Sequence, residues 1–431
     1  MHKIGHILRS DNSKVQLGNL TASTLGLGTF MLLTRGLDKE SFGQWAIFMA
    51  CVGLVDLLRT GLGRQAMVRK VTVSEPDQHQ KIIGSAMLIQ LMLTAGLFAV
   101  ISIASMYLST LLGDYFVFLK WYPWLLLAST PQLFDTWIAQ AKRNYGKMAA
   151  ARVGVNAVFV LLCGLGLFLD FSLEHYLLSL ILSNLIVSII SQVVHKSIKS
   201  LTHGKLSEIK DLLQFGKHSL ASMLGANLLR STDSLIIGSL MGAQAAATYA
   251  IPLKVIDVLE IPVRGFAMTS FSKLSRFYHE ENFEAFKRLF VKSTGLLMLL
   301  FLPVGLLFFI FPALPIYVLG GEKYLDGQIL IQIFVVAMVL IPLDKFLGVA
   351  FDSINRPGVN AIKVWIMVST NVIGDLVAIS LIGELWAVAM VTVINILFGI
   401  SFGLWRHTLL RNLKWRSAGI IINQPLGLKN Y

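Results

Sequence analysis

Ionisable residues fall inside apolar stretches, and the spacing of eight of them groups them. Asp56 and Arg59 stand three apart, as do Arg230 and Asp233 with Asn227 one turn earlier, and Lys254, Asp257, Glu260 and Arg264 form a stripe at helical spacing. Hydrocarbon does not solvate charge, so such groups must face one another, a protein interior or a water-filled cavity. Arginine presents a planar fork of donors that matches phosphate or diphosphate oxygens, and lysine a compact point charge. Arg59, Arg230, Lys254 and Arg264 are therefore the candidate binding residues for an anionic substrate. Asp56, Asp233, Asp257 and Glu260 are candidate cavity partners, which could hold the bases in place or take up a coupling proton or Na⁺. Internal salt bridges that fix helix packing are the competing reading for each pair. Lys345, beside Asp344, reads as an interfacial lysine, and Arg64 fits an interface equally well. Asp135 and Asp375 have no basic neighbour in sequence and could be structural or protonatable.

The elements that would carry these charges are membrane helices. Hydrophobic residues make up 55% of the 431, charged ones only 14%, and mean hydropathy is +0.69. A soluble domain carries roughly a quarter charged residues. Twelve apolar runs of membrane-spanning length recur, at 17–33, 42–62, 82–107, 117–139, 153–169, 176–194, 219–241, 247–271, 290–311, 329–350, 361–382 and 385–404. The short alternating segments of a β-barrel are absent. The net charge of +13 concentrates in the tails and in every second loop, with Lys142, Arg143, Lys147 and Arg152 in one and five lysines between 195 and 217. This positive-inside asymmetry predicts cytoplasmic termini and makes nucleic acid an unnecessary partner. Positions 55–67 find an echo 201 residues on, at 256–268, where Asp56 meets Asp257, Leu58 meets Leu259, and Ala66-Met67 meet Ala267-Met268. The fold class expected is all-α and polytopic, about twelve transmembrane helices in two pseudo-symmetric six-helix lobes around a central cavity. The lobes would be 1–195 and 218–406, with a cytoplasmic linker 196–217 and a basic cytoplasmic tail 407–431.

Several classes are excluded. No GxxxxGK[ST] occurs, which removes a P-loop ATPase, and no strand precedes Gly61-Leu62-Gly63-Arg64 to make it a dinucleotide fingerprint. None of the nine histidines sits mid-span, which removes haem and most transition-metal sites. Cys51 and Cys163 lie within spans, against a structural disulfide. The first run is a full span without a small-residue cleavage site and is expected to remain. No long loop carries paired carboxylates for glycosyl transfer, so the chain is expected to be a non-enzyme without a resident cofactor.

Two stretches carry a family resemblance. The first is Arg35-Gly36-Leu37-Asp38-Lys39-Glu40-Ser41-Phe42-Gly43-Gln44-Trp45-Ala46, running into Gly61-Leu62-Gly63. The second runs from Asp233 through Ile237-Gly238 and Tyr249 to Phe271-Ser272-Lys273-Leu274-Ser275, with Ser272 where the pattern has proline, and Gly320-Gly321-Glu322-Lys323-Tyr324 follows. They resemble the Wzx-type flippases of the multidrug/oligosaccharidyl-lipid/polysaccharide exporter superfamily. The resemblance implies a multi-pass protein of the bacterial inner membrane that flips an undecaprenyl-diphosphate-linked oligosaccharide to the periplasmic leaflet by alternating access. The glycan would serve O-antigen, capsule or exopolysaccharide assembly, with a polysaccharide polymerase and chain-length proteins as further partners. The alternative is an ion-coupled drug or metabolite antiporter of the same superfamily, which a cavity with four bases suits less well.

Overall fold

A computed structural model describes residues 11–108 and 115–417, and among these every regular element is helical. The long helices are α1 (Asp11–Gly36), α2 (Lys39–Val73), α3 (Pro76–Tyr107), α4 (Phe116–Ala141), α5 (Tyr145–Phe168), α6 (Leu173–His195), α7 (Leu206–Leu240), α8 (Ala243–His279), α9 (Phe283–Ile310), α11 (Gln328–Ser353), α12 (Pro357–Leu381) and α13 (Leu385–Ser417). A short α10 (Ala313–Leu319) and two 3₁₀ turns, Ser197–His203 and Glu322–Gly327, complete the set. At about 1.5 Å rise per residue even the shortest long helix spans the ~30 Å of hydrocarbon. Eight helices are long and apolar enough to cross a membrane by length and composition alone. The other four are α1, with Asn19, Thr21, Ser23 and Thr24; α4, with Gln132 and Asp135; and α7 and α8, with Arg230, Asp233, Lys254, Asp257, Glu260 and Arg264. Polar residues lower their hydropathy because these helices face protein and water as well as lipid.

Successive helices alternate in direction, so one end of the bundle carries both described termini and the lysine-rich turns; we call it the basic end. There Asn144 and Asn282 cap α5 and α9 by accepting the Lys147 and Ala285 amides at 3.3 and 3.1 Å, and Pro76 and Pro357 open α3 and α12. At the opposite end Asp38 caps α2 through the Ser41 amide at 2.7 Å. Interior prolines are accommodated by neighbours. At Pro131 in α4, Ser188 of α6 bridges the opened turn: its hydroxyl donates to Ala128 O at 2.6 Å and accepts from the Gln132 amide at 3.3 Å.

The two halves repeat one packing scheme. The pairs α1–α5, α2–α3, α2–α4, α3–α4, α4–α6 and α5–α6 recur as α7–α12, α8–α9, α8–α11, α9–α11, α11–α13 and α12–α13. This is the two-lobe, twelve-helix arrangement, and the lobes meet mainly where α2 packs on α7 and α8. Glycines let the seam close. A Cβ at Gly43 would stand 1.8 Å from Ala243 O, and one at Gly216 would stand 2.0 Å from Leu62 O. At the basic end Lys70 of α2 pairs with Glu208 and Asp211 of α7 at 2.8 and 3.4 Å. At the opposite end Thr34 and Arg35 donate to Leu319 O and Val318 O at 2.7 and 3.0 Å, and Lys39 meets Asp326 at 2.5 Å. The segment 196–217 is a 3₁₀ turn followed by the first residues of α7, so less of it is loop than its charge suggested. Helix α13 carries the chain past 406 to Ser417; the rest of the basic tail, 418–431, lies outside the described residues, as do His2 and His6.

Candidate functional site

The eight candidate charges sort into three groups and one outlier, apart from the pair that buried Lys363 of α12 makes with Asp344 of α11 at 2.7 Å. The first centres on Glu260 of α8, whose side chain is 10% exposed. Arg230 of α7 meets it at 2.7 Å, Lys345 of α11 at 3.5 Å, and Arg264 one turn along α8 at 3.8 Å. The three bases are 48, 40 and 50% exposed, so each shows roughly half its surface beyond the carboxylate it shares. Arg264 is held further by Glu260 O and Asp257 O at 3.4 and 3.3 Å. Three bases on one acid leave a net positive site. It lies mid-helix on elements that adjoin the seam between lobes, where exposed charge requires water. Pro252 and Pro262 flank Glu260 within α8 and free the local backbone from strict helical pairing.

The second group is buried inside the second lobe. Asp233 of α7 accepts from Tyr249 of α8 at 2.9 Å, Asn371 of α12 at 2.5 Å and Thr392 of α13 at 3.0 Å. Asn371 also donates to Asp375 at 3.2 Å, and its own carbonyl accepts from Asn395 at 3.0 Å. Asp233 and Asp375 are both buried, and one oxygen of Asp375 has no partner. Among the described residues no base pairs with either. Two enclosed carboxylates beside one another and without a counter-charge are a place for a proton or a small cation.

The third group is Arg59 and Asp56 in the first lobe. Arg59 is 2% exposed and turns into α4, donating to Leu126 O at 3.1 Å, Ser129 Oγ at 3.0 Å and Thr130 Oγ1 at 3.4 Å, with Asp56 at 3.0 Å. Asp56 accepts from Tyr122 at 2.7 Å. Both terminal nitrogens of the guanidinium are occupied by its own lobe. Arg59 and Glu260 stand 201 positions apart and so share one register in α2 and α8, one buried base answering one buried acid. Lys254, the outlier, reaches from α8 across the seam and sits 5.2 Å over the Phe30 ring of α1.

The structure thus brings Arg230, Glu260 and Arg264 together, and adds Lys345, which the sequence placed at an interface. Arg230 and Asp233, neighbours on α7, take different partners: Arg230 pairs with Glu260 of α8, while Asp233 is held by Tyr249 of α8, Asn371 of α12 and Thr392 of α13. Asp257 is exposed and contributes its carbonyl to Arg264. Asn371, Thr392, Asn395 and Tyr249 carried no charge to mark them in the sequence, and their partners lie many residues away. Asp135 is engaged by Ser191 and Gln192 of α6 and is structural.

Against known proteins, residues 14–277 match the family model "Polysaccharide biosynthesis protein", and residues 219–377 match the model "MatE". A protein named as an O-antigen transporter in Shigella flexneri is 25% identical over 76% of this chain and 81% of its own length. One named as a low-salt glycan biosynthesis flippase in Haloferax volcanii is 22% identical over 90% of this chain and 82% of its own. Among solved structures, an inward-facing multidrug resistance MATE family transporter superposes with TM-score 0.75 at 18% identity, covering 92% of this chain and 96% of that one. The lipid II flippase MurJ, in an inward closed conformation, superposes at 0.72 with 12% identity, covering 95% and 93%. These likenesses give the fold. The family match spans more than half of the sequence and agrees with the motifs at Gly43 and Gly238: the chain belongs to the polysaccharide biosynthesis protein family of multi-pass membrane proteins, within the multidrug/oligosaccharidyl-lipid/polysaccharide exporter superfamily.

Proposed function

We propose that the chain flips an undecaprenyl-diphosphate-linked oligosaccharide repeat unit from the cytoplasmic to the periplasmic leaflet, for O-antigen, capsule or exopolysaccharide assembly. The observation that carries this reading is the Glu260 cluster: three half-exposed bases on one buried carboxylate midway along α8. Empty, the cluster is held together by Glu260. A diphosphate entering from the seam would take the free faces of Arg230, Arg264 and Lys345, with Lys254 on the approach from α1. Arginine forks pair bidentately with phosphate oxygens as they do with a carboxylate, and a diphosphate offers oxygens for more than one base at once. Arg59 supports α2 in this scheme without touching substrate. The basic end faces the cytoplasm by the positive-inside rule, and the membrane is the bacterial inner membrane. One chain supplies both lobes, 1–195 and 218–406. Polymerase and chain-length proteins would act on the delivered unit.

The Asp233–Asp375 pair is the proposed coupling site. A proton or Na⁺ bound there would neutralise charge between α7, α12 and α13, and its release would let those helices shift, which links an ion gradient to the Arg230 end of α7. The same pair would serve the alternative, an ion-coupled drug or metabolite antiporter, but the net positive cluster opposes cationic drugs.

Complementation tests the reading. Arg230→Ala and Arg264→Ala should each insert in the membrane normally and lose at least tenfold in surface glycan, as expected for loss of a charge-assisted contact worth about 1.5–3 kcal/mol. Normal export by both variants would remove the diphosphate assignment.

A further inference from the structure

A second cavity, of about 770 Å³, lies at the basic end of the first lobe, behind α4, α5 and α6 and away from the seam. That size fits a small-molecule or headgroup site. Its mouth is lined by Lys142, Lys147, Lys196 and Lys199, with His195 and His203. Among the described residues no carboxylate pairs with any of these four lysines. The one acid in the lining, Asp135, is already taken by Ser191 and Gln192. Asn144, which caps α5, lines the same mouth.

Above the mouth the walls change character. Gly154 and Val158 of α5 face Val187, Ile190 and Val194 of α6, so the cavity continues as an apolar groove between two membrane helices. Val187 lies eight residues from the end of α6 at His195, which is about 12 Å of helix. A free phosphate would use the mouth and leave this groove empty. An apolar ligand would use the groove and leave four lysines unpaired. A lipid with an anionic headgroup uses both, and the change from basic to apolar falls where a leaflet changes from headgroup to acyl chain.

We propose that this cavity seats an acidic phospholipid, with the phosphodiester among Lys142, Lys147, Lys196 and Lys199 and an acyl chain along the α5–α6 groove. The seat is independent of the Glu260 cluster and takes from the reading above only the orientation that puts it in the cytoplasmic leaflet. It also touches the connector between lobes. Lys196 and Lys199 belong to the segment that Gln192 fastens through Ser197 Oγ at 2.8 Å and the Ile198 amide at 3.2 Å. The same segment ends at Gly204, close against Gly84 of α3. A headgroup bridging the α4–α5 turn to this connector would tie the connector to the first lobe.

Native mass spectrometry of the full-length protein, exchanged into phosphatidylglycerol or phosphatidylethanolamine, tests the seat. One phosphatidylglycerol should be retained with a preference of about tenfold or more, the size that two engaged lysines give at a membrane surface. The combined Lys142→Gln, Lys147→Gln, Lys196→Gln, Lys199→Gln variant should lose that preference. Ile190→Trp, which fills the groove and leaves the charge alone, should lower retention while the protein stays folded. Equal retention of the two lipids, or a wild-type preference in the glutamine variant, overturns the proposal. Thermal stabilisation by millimolar inorganic phosphate equal to that by phosphatidylglycerol would assign the mouth to a free anion and overturn it as well.

Discussion

At the residue scale, two arginines of the same type do opposite work. Arg59 has five donors and spends most of them on Leu126, Ser129, Thr130 and Asp56, while Arg264 keeps half its surface free. Breaking a buried, paired charge costs about 3 kcal/mol or more, whereas removing a half-exposed one costs little. Arg59→Ala should therefore lower the melting temperature and membrane yield, and Arg264→Ala should leave both unchanged while export falls. Thermal unfolding of the two purified variants separates these outcomes; equal destabilisation would contradict the division of roles. The carboxylate pair gives a second contrast. Asp233→Asn should remove the dependence of transport on the ion gradient and should also remove any stabilisation of the purified protein by Na⁺ or by protons. Retained ion dependence in both Asp233→Asn and Asp375→Asn would place coupling elsewhere. These charged residues were legible from the sequence because an acid or base stands out in an apolar run. Which way each points was not, since Arg230 had Asp233 three residues away and Glu260 thirty away, and only tertiary packing decides between them.

At the element scale, α2, α7 and α8 make the seam and also carry Arg59, Arg230, Glu260 and Arg264, so the seam's small residues set how closely these charges approach. Gly216 allows α7 to lie on the backbone of α2 at Leu62, and Gly43 allows α2 to lie on Ala243. Gly216→Val should part the helices at the basic end, because a side chain placed 2.0 Å from a carbonyl oxygen cannot be absorbed without moving the backbone. Disulfide trapping between Lys70→Cys and Glu208→Cys should then fall severalfold, while Gly43→Ala, at the other end, should leave that trapping near wild type. A fall of equal size in both would show that the seam moves as one rigid unit. Spans were legible in the sequence by length and hydropathy, including α1, α7 and α8, whose polar content lowers their apolar score. The turns were less so. The 3₁₀ turn Ser197–His203 and the early start of α7 at Leu206 were hidden by a run of lysines that reads as loop. Asn371, Thr392 and Asn395 were hidden because a single amide or hydroxyl in a span usually serves helix packing.

At the scale of the whole molecule, the repeat is one of packing more than of residues. Six helix pairs recur between the halves, although the sequence echo is confined to 55–67 and 256–268, where an Asp keeps its register and Arg59 is exchanged for Glu260. Two lobes built alike but charged differently allow one lobe to be a fixed frame, braced by Arg59, while the other carries both the basic cluster and the carboxylate pair. Central to this division is the proposed role of the Glu260 cluster in moving a lipid diphosphate across the bilayer. The direct measurement is the sidedness of lipid-linked repeat units in spheroplasts of a deletion strain carrying wild type or Arg230→Ala. Wild type should place complete units on the periplasmic face, and Arg230→Ala should leave them trapped on the cytoplasmic face at normal protein level. Complete units on the periplasmic face in the deletion strain itself, with small-molecule efflux changed instead, would contradict the account.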